Sequence, residues 1–301
     1  MKLITVNTKP KYIYHIVAVI IVAIWGVTFI STKILINSGL TPQDIFLLRF
    51  LIAYAGMWFI APRKLIADSW KDELMLMFGG ITGGSLYFLT ENSALQHTLA
   101  TNVSFIVCTT PLLTTLLFLL VDKKEKASFH LIIGSIIALV GMGAVVYNGN
   151  VVLQLSPIGD ILSFSAALCW AFYSLVMKKL FTRYNTNFIT RKIFFYGILT
   201  ILPVFIFDPW IFPIERLLEP VILGNILFLG VIASLICYAV WNIVLKKLGA
   251  VKATNYIYLN PLFTLIGAAM ILNEPLTWMA MVGAALIVGG MYIAEKKQST
   301  H

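Results

Sequence analysis

KEKASF at residues 124–129 and NEPLTW at residues 273–278 are one pattern written twice, Glu-x-x-Ser/Thr-aromatic, each between two long apolar runs. The match extends both ways. Upstream, Pro111 opens PLLTT and Pro261 opens PLFTL; Glu125 and Glu274 follow at 14 and 13 residues. Downstream, Gly134 and Gly283 stand nine residues after those glutamates, and Gly141 and Gly290 seven further on. ATN recurs at 100–102 and 253–255, and Gly80 and Asn92 pair with Gly230 and Asn242 at an offset of 150. Trp25 and Lys33 pair with Trp170 and Lys178 at 145, and FLLRF at 46–50 lies on FITRK at 188–192, superposing Arg49 on Arg191. Self-similarity on this scale marks a duplicated structural unit.

The solvent for that unit follows from composition. The 301 residues are 59% hydrophobic and 12% charged, whereas soluble domains carry about 25% charged residues. There is too little polar surface to coat a water-soluble globule. A spanning helix needs about 20 mostly apolar residues, and ten runs qualify: about 12–36, 43–62, 73–95, 98–121, 129–147, 158–179, 188–207, 219–245, 252–272 and 277–294. Runs such as HLIIGSIIALVGMGAVVY do not alternate, so they fit helices rather than barrel strands. The first run continues past Trp25 with no small-x-small cleavage pattern and is expected to be a retained helix rather than a signal peptide. Cys108, Cys169 and Cys237 fall within apolar runs, as core residues rather than a disulfide or metal set.

The net charge of +9 reports orientation, not nucleic acid. Of 22 Lys and Arg, Lys33 and Arg49 fall within runs; with the N-terminus cytoplasmic, Arg216 lies outside and the remaining 19 lie inside. Such a bias predicts cytoplasmic N- and C-termini and checks the helix count. The chain therefore reads as an all-α integral membrane protein of ten transmembrane helices, in two five-helix repeats over 12–147 and 158–294. Five is odd, so the second repeat enters the membrane from the opposite face. Inverted repeats of this kind place a substrate site near the midplane and support alternating access. KEKASF and NEPLTW become one turn used on both faces, with Ser128 and Thr277 capping the helices that follow; Glu125 and Glu274 read as structural.

The Trp in the first helix, the Arg in the second, and the string Ala…Pro…Glu-x-x-Ser/Thr…Gly…Gly, all present twice, with Ala-Leu ahead of it in the first copy, resemble the drug/metabolite transporter superfamily and its EamA-type ten-helix branch. The resemblance covers about residues 14–294. KEKASF is more basic than the family's usual approach to that Glu, and Ala171 stands where the first copy has Gly26. What the resemblance implies is an inner-membrane carrier, often an exporter of amino acids or related metabolites.

Ionisable groups inside a bilayer are costly and point to function. At a rise of about 1.5 Å per residue, Lys33, Arg49 and Glu91 share one depth in the outer leaflet and form a candidate gate or coupling cluster. Glu91 has no acidic twin; its counterpart is Trp241. Two interpretations stay open for Glu91: a partner for Lys33 or Arg49, or a site for protons or a substrate ammonium. Polar and aromatic midplane residues come from the paired helices, among them Trp25 and Trp170. Trp25, Tyr87, Asn102, Tyr238, Asn255 and Tyr256 are the expected cavity residues. Pro111 and Pro261 free the carbonyls of Val107 and Ile257, as static kinks or as hinges. GGITGG at 79–84 and GAALIVGG at 283–290 suit close helix contacts.

The sequence holds no phosphate loop, no His/Asp metal spacing and no Gly-x-Ser-x-Gly. No catalytic residue, metal or cofactor is expected, nor is an enzyme. Aromatic walls with neutral hydrogen-bonding groups suit a small amphipathic or zwitterionic solute. The expected partners are that solute, the lipid bilayer and, as a candidate coupling ion, the proton; monomer and homodimer both stay open. The alternatives are a carrier of another solute class, such as drugs or nucleotide-like metabolites, and a non-transporting sensor or scaffold. A sensor should carry an output domain, and residues 295–301 form only a short tail. A lipid-modifying membrane enzyme would need polar catalytic loops that are absent here.

Overall fold

The computed structural model describes residues 12–61, 64–121, 129–147, 156–272 and 278–295. Among them every regular element is a helix. Glu125, Glu274, Ser128 and Thr277, and with them both Glu-x-x-Ser/Thr turns, lie outside the described residues, as do Lys2, Lys9, Lys11, Arg63, Lys123, Lys124, Lys126, Lys296 and Lys297.

Six helical runs are long and apolar enough to cross a membrane: Tyr12–Asn37, Pro42–Ile60, Ala100–Val121, Pro157–Leu180, Thr186–Phe207 and Pro220–Leu248. The four other expected apolar runs are helical too, although shorter or interrupted. We number the α-helices α1 (Tyr12–Asn37), α2 (Pro42–Ile60), α3 (Trp70–Gly80), α4 (Leu86–His97), α5 (Ala100–Val107), α6 (Thr110–Val121), α7 (Phe129–Tyr147), α8 (Pro157–Leu180), α9 (Thr186–Ile201), α10 (Val204–Phe207), α11 (Pro220–Leu227), α12 (Cys237–Leu248), α13 (Ala250–Thr254), α14 (Asn260–Leu272) and α15 (Trp278–Glu295). Large apolar side chains such as Phe59, Leu120 and Phe207 point outward, 93%, 77% and 89% exposed; a surface so apolar requires lipid around it.

Helix starts follow local chemistry. At α2, Thr41 and Asp44 form a reciprocal capping box with Pro42 at the first position. Ser69, Ser156 and Asn185 cap α3, α8 and α9 with their side-chain oxygens. Gly249 ends α12 at φ 85°, a conformation that suits glycine.

Two wide π turns interrupt the α-helical ladder. Ile81–Ser85 joins α3 to α4, and Phe228–Ile236 joins α11 to α12. The GGITGG stretch therefore does more than permit packing: its glycines form part of a turn whose Gly84 lies at φ −131°, ψ −106°. A Cβ at Gly83 would run into the Tyr173 ring and the Tyr238 hydroxyl. Pro111 and Pro261 are the second residues of α6 and α14. They open new helical segments, where a missing N–H costs least.

The helices pack in a regular set of pairs. α1 lies against α14, and α8 against α5 and α6; α2 lies against the π turn 228–236, and α9 against α3 and the π turn 81–85. α7 and α15 pack chiefly on each other. Gly134 stands against the backbone of Gly290, and Gly141 against the backbone of Gly283 and Ile287, so closely that a Cβ at Gly134, Gly141 or Gly290 would have no room. At one end of the bundle, α3 is tied to the α8–α9 region: Arg183 pairs with Asp72 at 2.5 Å, Tyr184 Oη donates to Asp72 at 2.9 Å, and Lys192 pairs with Glu73.

Candidate functional site

Eight α-helices and two non-α segments, 228–236 and 255–259, converge on one cavity. α1 contributes Trp25, Thr28 and Phe29; α2 contributes Arg49; α4 contributes Tyr87, Phe88 and Glu91. Val107 ends α5, Thr110 begins α6, and Trp170 comes from α8. Ala233 lies in the second π turn, Tyr238 on α12, Ile257 on the 3-10 segment Asn255–Leu259, and Asn260 begins α14.

The walls are aromatic. Trp25 meets Trp170 edge-on at 5.4 Å between ring centroids and Trp241 at 5.0 Å. Trp170 in turn meets Tyr87 at 4.9 Å and Tyr238 at 5.7 Å. Both π turns are tied to these rings. Trp25 Nε1 donates to the Ala233 carbonyl at 3.1 Å, and Tyr238 Oη donates to the Gly83 carbonyl at 2.6 Å. A π turn misaligns the backbone ladder, and here aromatic donors from other helices bond a carbonyl within each turn.

The proline sites work similarly. The carbonyls freed by Pro111 and Pro261, at Val107 and Ile257, both border the cavity. Thr110 Oγ1 donates to Val107 at 2.6 Å, and the Cys108 thiol donates to Ile257 at 3.0 Å. Cys108 thus has a partner-holding role beyond filling the core.

Charge enters the cavity from one side. Glu91 accepts a hydrogen bond from Tyr87 Oη at 2.8 Å. Arg49 donates through Nε to Ser234 Oγ at 2.9 Å and stacks its guanidinium 4.2 Å above the Phe88 ring. Arg49 and Glu91 are 3% and 6% exposed, yet they form no ion pair with each other within 4.0 Å. Two further polar atoms on the lining, Trp170 Nε1 and Asn260 Oδ1, are buried without a hydrogen-bond partner. Buried polar atoms are nearly always paired, so these two hold unused hydrogen-bonding capacity on residues of the lining. The cavity measures about 30 Å³, room for about two waters.

Of the expected residues, the structure brings Trp25, Tyr87, Tyr238, Arg49 and Glu91 together. Lys33 lies apart from them: its ammonium donates to the Leu95 and Thr98 carbonyls at the end of α4, and it makes no ion pair among the described residues. Asn102 donates to Thr98 Oγ1 at 3.1 Å, and Tyr256 bonds His15; neither borders this cavity. Asn255 is fully buried, with both side-chain polar atoms unpartnered, and also lies off the lining. The sequence reading does not single out Thr110 or Asn260, although each stands directly before a repeated proline, which is signal enough to find them.

The model of the EamA-like transporter family matches residues 12–147 and again 157–295. The chain belongs to the EamA-like transporter family. It is 26% identical over 288 residues to an uncharacterized transporter of Archaeoglobus fulgidus, covering 94% of this chain and 98% of that one. It is 22% identical over 286 residues to a probable amino-acid metabolite efflux pump of Escherichia coli, covering 92% and 93%, and 23% identical over 287 residues to a pump of the same description from Salmonella typhimurium, covering 92% of each. A solved crystal structure superposes with a TM-score of 0.72 at 18% identity over 95% of this chain and 96% of the other, a likeness of fold alone. The protein is thus a multi-pass membrane transporter of a small molecule, with drug/metabolite transporter ancestry as the sequence string implies.

Proposed function

We propose that this transporter has ten spans in two inverted five-helix repeats, over 12–147 and 158–294, and exports a small zwitterionic amphipath, an amino acid or related metabolite, across the inner membrane by alternating access. One observation carries the solute class: opposite charges, Glu91 and Arg49, face one aromatic-walled space that also holds an unengaged donor, Trp170 Nε1, and an unengaged acceptor, Asn260 Oδ1. A solute bearing both an ammonium and a carboxylate satisfies all four. The printed description of the E. coli relative, an amino-acid metabolite efflux pump, points the same way.

The repeat reading draws support from packing. The pairs α1 with α14 and α8 with α5–α6 exchange under the repeat, as do α2 with 228–236 and α9 with 81–85. The glycine twins cross: Gly134 and Gly283 are equivalent, as are Gly141 and Gly290, and the contacts run Gly134 to Gly290 and Gly141 to Gly283. A two-fold relation requires that reciprocity. The cation bias supports cytoplasmic N- and C-termini.

In this mechanism Trp25, Tyr87 and Tyr238 form the walls. Asn102, Asn255 and Tyr256 lie on the segments leading away from the cavity and meet the solute in transit. Glu91 with Arg49 couples transport to protons, Lys33 holds the outer end, and Pro111 and Pro261 act as hinges. Ligand pockets usually measure about 300–1,000 Å³; at about 30 Å³ the cavity is too small for such a solute, so the walls part when one enters.

The test is counterflow in proteoliposomes preloaded with unlabelled amino acids, each labelled amino acid being offered outside. Uptake by the wild type that Trp25→Ala abolishes supports the proposal. Counterflow that survives Glu91→Gln while proton-driven accumulation fails assigns the coupling role. Absence of counterflow by folded wild-type protein rules out the amino-acid class.

A further inference from the structure

We infer that α3 is a gating arm of this transporter, hinged at the π turn 81–85 and latched at its N-terminal end by Asp72 and Glu73. The inference rests on the alternating-access reading. All four carboxylate oxygens of the latch are engaged. Asp72 Oδ1 pairs with Arg183 Nη1 at 2.5 Å, and Asp72 Oδ2 accepts from Tyr184 Oη at 2.9 Å. Glu73 Oε1 pairs with Lys192 and accepts from Tyr196 Oη, and Glu73 Oε2 accepts from the Ala67 N–H at 2.7 Å. Asp72, Glu73 and Lys192 are buried. The segment ahead of α3 is strapped to the same region: the Asp68 N–H donates to Tyr184 Oη at 2.9 Å, Lys192 to the Leu65 carbonyl at 3.1 Å, and Arg191 to the Lys64 carbonyl. Except for the bond to Ala67, each of these joins the first half of the chain to the second.

The hinge lies at the other end of α3. The helix stops at Gly80, and the π turn that follows separates it from α4, which carries Tyr87, Phe88 and Glu91 on the cavity lining. Wide turns are where helices bend, so α3, once unlatched, can swing while α4 keeps its place. Where α3 meets α9, Gly79 and Gly80 carry no side chain to interlock with Ile193 and Tyr196. α11 stands in the same relation to the second π turn, but its start is held differently. The offset of 150 that pairs Gly80 with Gly230 puts Ile222 and Leu223 where Asp72 and Glu73 stand. Ile222 packs in an apolar cluster with Leu40, Ile45, Phe212 and Ile226. One arm is thus held by directional, charge-assisted bonds and the other by non-directional apolar contact, so separate substitutions release them.

The test is alkylation of a buried probe on each arm by a membrane-impermeant maleimide, with the protein in nanodiscs and the labelled residue read by mass spectrometry. Leu76→Cys lies one turn from Asp72 on the same face of α3, and Ile222→Cys lies on α11; both positions are buried. The latch is weakened in two ways: by Arg183→Gln, which removes a side chain that is 61% exposed and so leaves the packing intact, and by Glu73→Gln/Lys192→Gln, which leaves no lone buried charge at that pair. Labelling of Leu76→Cys is expected to quicken about tenfold in either background, the value of one hydrogen bond to a charged group, with Ile222→Cys no faster. Phe212→Ala is expected to do the reverse. Unchanged labelling of Leu76→Cys in Arg183→Gln would overturn the latch. Equal acceleration at both probes would overturn it too, because it reports general loosening rather than an arm. If amino-acid counterflow fails while the two probes respond separately, the gate stands and the cargo changes; if counterflow proceeds with both probes insensitive, the transport reading stands and this gate falls.

Discussion

Replacing Trp25 with Phe separates what its ring does from what its N–H does. The Nε1–H bond to Ala233 holds a buried carbonyl within the second π turn. Leaving such a buried acceptor without its donor costs about 1–3 kcal/mol. The phenyl ring keeps much of the edge contact with Trp170 and Trp241, worth about 0.5–1.5 kcal/mol per aromatic pair. Trp25→Phe should therefore destabilise the protein by about 1–3 kcal/mol. Trp25→Ala, which also removes the ring, should cost about 3–5 kcal/mol. Reversible unfolding in mixed micelles with increasing denaturing detergent, followed by tryptophan fluorescence and far-UV dichroism, gives both values. Wild-type stability in Trp25→Phe would refute the claim that this bond sustains the π turn. Equal losses in the two variants would refute the assignment of a separate ring contribution.

Trp170→Phe probes the opposite case, because its Nε1–H has no protein partner to lose. Stability should be unchanged, while the half-saturation concentration in counterflow should rise about tenfold, the value of one hydrogen bond to a charged solute group; unchanged half-saturation would remove that N–H from the site. Cys108→Ala should cost about 1 kcal/mol in the same unfolding assay by stripping the Ile257 carbonyl of its donor; no loss would make Cys108 a packing residue alone. Gly290→Val drives two methyl groups into the α7 backbone, and overpacking of about 1–3 kcal/mol or more should follow; a well-folded variant with wild-type stability would contradict the backbone-to-backbone contact.

The helices were legible because lipid demands long apolar runs, and the repeat because its Pro, Glu and Gly markers recur at nearly fixed offsets. Position along each helix was legible too: Arg49, Glu91, Trp25, Tyr87 and Tyr238 line one cavity. Azimuth was not: a membrane helix is apolar all round, so no stripe says which way Asn102, Asn255 or Tyr256 turns. Lys33 stands apart from Glu91 for a similar reason, since its long flexible stem lets the ammonium reach the Leu95 and Thr98 carbonyls. The π turns left little trace beyond GGITGG, and FLGVIASLI at 228–236 holds one glycine, because a wide turn depends on which donors arrive from other helices.

The crossed glycines of α7 and α15 have a consequence for how the halves came to share one chain. On the inverted-repeat reading, each half presents a face that fits its own copy. A lone five-helix half would meet a second copy through the same close approach, and the covalent connection between residues 147 and 157 joins the two. What it contributes is effective concentration, keeping a complementary partner permanently within reach at millimolar equivalence or more. Once so tethered, the two halves were free to diverge, and Glu91 opposite Trp241 is the kind of asymmetry that two separate, identical subunits could never hold.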